Sequence, residues 1–127
     1  MKYIKETQKT VSQAVEDLQT AILEQKFGVL HIHNLYETLN KKGVPFKQQC
    51  QVLEVCNPQQ AAKVLSEDMD LNMALPCRVS VYEKEGKTYI SMLSPKTMLA
   101  QLSDSDKLKN VADEVENSII AAIESAL

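Results

Sequence analysis

Gln51-Val52-Leu53-Glu54-Val55-Cys56-Asn57-Pro58-Gln59-Gln60 decides the fold. Its first half is a short strand, roughly Gln51 to Val55, rich in β-branched and apolar residues. Its second half is a helix start: Asn57 suits the N-cap and Pro58 the first helical position. Ala61, Ala62, Val64 and Leu65 follow on the helix. A strand that passes into a helix with no linker predicts a layered domain of sheet and helices.

Downstream, residues 66–76 are irregular, with one helical turn around Leu71 to Ala74. Cys77 to Glu83 and Lys87 to Leu93 alternate and flank Lys84-Glu85-Gly86, a hairpin pattern. Ser94-Pro95 caps a short helix through Leu99. A long helix from about Ser105 carries the stripe Leu108, Val111, Ala112, Val115, Ile119, Ala122, Ile123 and Ala126.

Upstream, residues 2–8 alternate loosely as a first strand. Thr10 and Gln13 form a capping box before the stripe Val11, Ala14, Val15, Leu18, Ala21 and Ile22. This helix ends near Lys26, with Gly28 helping the chain to turn. Phe27 to His33 is a strand, and Asn34 caps a short helix that stops at Gly43. The order β-α-β-α-β-α-β-β-α-α predicts an α+β fold: a two-layer α/β sandwich with a mixed or antiparallel sheet of about five strands and helices mainly on one face.

The 127 residues suit a single domain, 1–127. The composition, 44% apolar and 24% charged with a net charge of -3, is that of a globular protein. No apolar run nears the ~18 residues that span a bilayer, and charges interrupt the N-terminus where a secretory signal needs an apolar stretch. The expectation is a cytoplasmic protein with no membrane partner. Arg78 is the only arginine and no basic-aromatic platform exists, so nucleic acid is not an expected partner. Three cysteines without a Cys-x-x-Cys argue against a disulfide framework and a closed zinc site. Three glycines leave no phosphate-binding loop, and no cofactor or metal is expected.

Alternation assigns the faces. With Leu30 and Ile32 toward the core, Val29, His31 and His33 point away. With Leu53 and Val55 inward, Cys50, Glu54 and Cys56 point away. With Cys77, Val79 and Val81 inward, Arg78, Ser80 and Tyr82 point away; with Ile90 and Met92 inward, so do Tyr89 and Ser91. The second face is then a solvated surface, a ligand pocket or a dimer surface. This layout separates Cys56 from Cys77.

Cys56 is the strongest candidate for chemistry. It precedes the N-cap, where free N–H groups and the helix dipole stabilise a thiolate or bind an anion. The alternative is a small buried hydrophobe, as free cysteines often are. Cys77 belongs with its apolar neighbours. His31 and His33 are half of a metal site at most, and otherwise polar residues on an exposed strand. Arg78 anchors an anion or simply pairs with Glu54 across the strands.

Gly28-Val29-Leu30, the Val52 to Pro58 segment and Leu75-Pro76-Cys77-Arg78-Val79-Ser80-Val81-Tyr82 together resemble the bacterial and archaeal domain of unknown function 302 family. The resemblance covers about 12–95, with the helix at about 105–126 outside it. It implies a compact two-layer α/β domain and no established reaction, substrate or cofactor. Cys56, Asn57, Pro58, Pro76 and Cys77 match its characteristic positions without bringing a role.

The expected function is a small binding module, dimeric, for an anionic or thiol-reactive ligand held by Cys56 and Asn57 with Arg78, His31 and Tyr82. The alternatives are a thiol-dependent enzyme or sulfur carrier using Cys56, and a structural or interaction protein without catalysis.

Overall fold

Five polar side chains set the helix starts. Thr10 accepts the N–H of Gln13, Asn34 that of Glu37, Asn57 those of Gln59 and Gln60, Ser94 that of Thr97 and Ser105 that of Leu108. Each satisfies a first-turn donor that the helix itself leaves unpaired. In the computed structural model, which describes residues 1–127, the helices are α1 (Val11–Glu24), α2 (Leu35–Lys41), α3 (Pro58–Glu67), α4 (Pro95–Leu102) and α5 (Asp106–Ala126). The strands are β1 (Lys2–Thr7), β2 (Gly28–Asn34), β3 (Cys50–Cys56), β4 (Cys77–Lys84) and β5 (Lys87–Leu93), with a 3-10 turn at Met69–Ala74.

The strands form one open sheet in the order β1-β5-β4-β3-β2, and every neighbouring pair is antiparallel. The topology follows from the connections. α1 carries the chain from one edge strand to the other, and β2, β3, β4 and β5 then lie side by side in sequence order. α2, and α3 with the 3-10 turn, bring the chain back to the strand end it left, which an antiparallel neighbour requires. The expected α+β sandwich is therefore present, with the antiparallel form of its sheet.

One face of the sheet makes the core. Leu53, Val55, Val79, Val81 and Ile90 are fully buried, and Met92 nearly so. They meet the apolar stripe of α1 and that of α5 in a single cluster. Both stripes are those expected from helical spacing, because Leu18, Ile22, Ile119 and Ile123 recur on one side of their helices.

Two local expectations are corrected. β2 carries a bulge between Val29 and His31, so Val29 pairs with Val55 while His31 pairs with Glu54. Leu30 is the extra residue and is 62% exposed, whereas Val29 packs on the core beside Ile32. The bulge resets the alternation, so His31 and His33 still face away. The turn after α1 is made by Lys26 at φ 65°, not by Gly28, which is already part of β2. At the hairpin, Lys84 pairs with Lys87, leaving Glu85 and Gly86 as a two-residue loop. Their φ values of 53° and 76° provide the positive angles that a type I′ turn demands.

Candidate functional site

Strand β3 ends and helix α3 begins at Cys56-Asn57-Pro58, and β4 begins beside it at Cys77. The register places Val55 opposite Cys77 and Glu54 opposite Arg78. Around these strand ends, α3, α4, α5 and the 3-10 turn pack on one another. They leave an apolar cavity of about 90 Å³, lined by 19 residues of which 14 are hydrophobic. A water needs roughly 10–15 Å³ of such space, so the cavity has room for about half a dozen non-hydrogen atoms.

The wall brings together residues that the sequence keeps far apart. Cys56 and Asn57 come from the β3–α3 junction, Gln60 and Ala61 from α3, Cys77 and Arg78 from β4, and Met98 from α4. Met73 lies in the wall too, with its side chain largely exposed.

The start of α3 offers nothing to an anion. Pro58 has no N–H. The Asn57 Oδ1 accepts the N–H groups of Gln59 and Gln60 at 3.1 Å each, and the N–H of Ala61 donates to the Asn57 carbonyl at 2.9 Å. All first-turn donors are thereby engaged within the chain. The Asn57 Nδ2 donates to the Lys26 carbonyl at 3.4 Å, tying α3 to the turn after α1.

The thiols follow burial rather than the helix dipole. Burial pushes the Cys56 thiol above its ordinary value, the reverse of the tuning that its place before an N-cap implies. Cys77 is pushed up to about 11, chiefly by burial and further by Cys56. Cys56 and Cys77 therefore share one cavity, and Cys56 adds to the rise at Cys77, although strand alternation sends them to opposite faces. Cys50 is outside this cavity, at the other end of β3 opposite Tyr82, and burial raises its thiol as well. All three cysteines are free.

Arg78 lines the cavity, but its guanidinium donates to Glu54 at 3.3 Å. The other Glu54 oxygen lies 3.3 Å from His33 Nε2. The pairing across β3 and β4 is thus realised, and its exposed partner limits its worth to about 0–1 kcal/mol. His31 and Tyr82 stand on the open face and do not line the cavity. His31 packs edge-on against His33 with ring centroids 4.4 Å apart, and Tyr82 stacks on Tyr89 at 5.8 Å. The Ser80 and Ser91 hydroxyls meet at 2.8 Å on the same face.

Local sequence marks Gln60 only as the third position of α3. Its Nε2 donates to Glu114 at 3.0 Å, which orients the amide because a carboxylate only accepts. Its Oε1 is sealed from solvent with no donor. The cavity wall thus holds an unpaired acceptor, not an unpaired donor. The spacing of Gln60, Ala61 and Val64 places them on one face of α3, but nothing local tells that this face borders a void.

No helix is long and apolar enough to cross a membrane. A comparison with curated proteins finds no match. A crystal structure of an uncharacterised conserved DUF302 protein from Bacillus stearothermophilus superposes with a TM-score of 0.93 at 31% identity, covering 99% of this chain and 98% of that one. The family model described as domain of unknown function DUF302 matches residues 3–126, a span that includes α5. With matching fold and sequence along nearly its whole length, the chain belongs to the DUF302 family.

Proposed function

We propose that the protein is a binding module whose cavity takes a small, uncharged or soft, thiol-reactive ligand. The observation that carries this is the apolar cavity with the Cys56 and Cys77 thiols in its wall. Its polarity favours this ligand class over an anion. The helix donors are capped, Arg78 is engaged by Glu54, and the one unpaired buried atom, Gln60 Oε1, accepts rather than donates. Residence in a reducing compartment suits three free cysteines. Use of Cys56 as an enzyme nucleophile is less favoured, because burial pushes both cavity thiols up, away from the reactive thiolate.

Alkylation of the native protein, with each cysteine followed by mass spectrometry, tests the proposal. N-ethylmaleimide, uncharged, should label Cys56 faster than the anionic iodoacetate does, after correction for their rates with free cysteine. Filling the cavity with Ala61→Phe should protect Cys56 and leave Cys50 unchanged. Preference for the anionic reagent, or thiols inert until the chain unfolds, would overturn it.

A further inference from the structure

Eight side chains in the whole protein contain sulfur, three Cys and five Met. Four of them, Cys56, Met73, Cys77 and Met98, line this one cavity. They come from β3, the 3-10 turn, β4 and α4, so no stretch of sequence explains their meeting. Two thiol and two thioether residues in one apolar wall supply donors of one chemical kind.

That kind selects among metals. No group of three His, Cys, Asp or Glu side chains is placed to hold an ion. Zinc, which fills four positions with Cys, His or carboxylate ligands, has no such set here. Monovalent copper is soft, accepts two or three sulfur donors and is satisfied by thioethers alongside thiolates. We propose that the cavity is a Cu(I) site, with Cys56 and Cys77 as thiolate ligands and the Met98 and Met73 thioethers as supporting donors. The proposal rests on the soft-ligand function above and names its ligand.

Loading exchanges the two thiol protons, released to solvent, for one Cu⁺ ion. Two Cu–S bonds form, the copper remains monovalent, and no oxidant or reductant is consumed. The bound unit carries one negative charge. Met73 is the exposed member of the set, at the 3-10 turn.

The test is anaerobic competition for Cu(I) against the chromophoric chelator bicinchoninate, using the whole chain. The wild type should withdraw one copper per chain, and copper-edge X-ray absorption should show a shell of sulfur alone. Cys56→Ser and Cys77→Ser should each lose this withdrawal. Met98→Leu, which keeps side-chain volume, should weaken it, while Cys50→Ser should behave as wild type. Failure of the folded wild type to compete, a shell containing nitrogen or oxygen, or equal loss in Cys50→Ser would overturn the copper site. If copper fails while N-ethylmaleimide still labels Cys56 through the cavity, the soft-ligand function stands and the metal assignment alone falls. If both fail, the cavity is not a ligand site.

Discussion

Asp17 illustrates how a surface residue still makes stability depend on pH. It lies 2.7 Å from the Lys9 ammonium and accepts from Gln13 at 3.0 Å, one turn earlier on α1. These contacts, the hydrogen bond from Lys9 first, hold its carboxyl below the ordinary value. A depressed folded-state value means that its contribution is fully present above the unfolded value, about 3.9, and is lost as pH falls through the folded one. Asp17→Asn should therefore be less stable than wild type at neutral pH and should converge with it in acid. Urea midpoints from pH 7 down to about pH 2 would measure this. A gap that stays constant to the lowest pH would refute it. At this scale, sequence position misjudges Cys56: the dipole at the helix start is legible, but the burial that outweighs it is not.

At the scale of elements, Asn57 joins three: it ends β3, starts α3 and reaches back to the turn after α1 through Lys26. Loss of such a cap costs about 1 kcal/mol. Asn57→Ala should lose about that much or slightly more by chemical denaturation, since the Lys26 bond goes with it. Asn57→Asp, which keeps the accepting oxygen and loses the amide donor, should recover most of it. Equal loss in both variants would show that the cap is not the source. All five helix starts are visible in the sequence, because a cap is a contact between residues two or three apart. The bulge at Leu30 is not, because one extra residue leaves no mark on the local pattern and shows only in the pairing with β3. Lys26 likewise takes a left-handed conformation in a place where Gly28 is the obvious candidate.

The whole molecule is held by two helices laid across one sheet face. Leu18 on α1 is fully buried in that layer, while Leu23 on the same helix is 64% exposed. Leu18→Ala should cost about 2–5 kcal/mol through lost burial and the void left behind. Leu23→Ala should stay within about 0.5 kcal/mol. Equilibrium unfolding of the two variants tests whether this face is the true core; similar losses would contradict it. The apolar stripes and the strand alternation are enough to predict an α+β sandwich with these inward residues, since each periodicity repeats within its own element.

The element order, the helix starts, the hairpin and most of the buried set are legible in the order of the residues alone. These depend on propensities, caps and periodicities that act over a few residues. Strand order, the β2 bulge and the cavity were decided only by the tertiary structure. So were the meeting of Cys56 with Cys77, the separation of His31 and Tyr82 from the cavity, and the unpaired Gln60 oxygen. Each depends on which distant segments pack together and how much water they exclude. Desolvation and void space belong to that packing, and no single stretch of residues carries them.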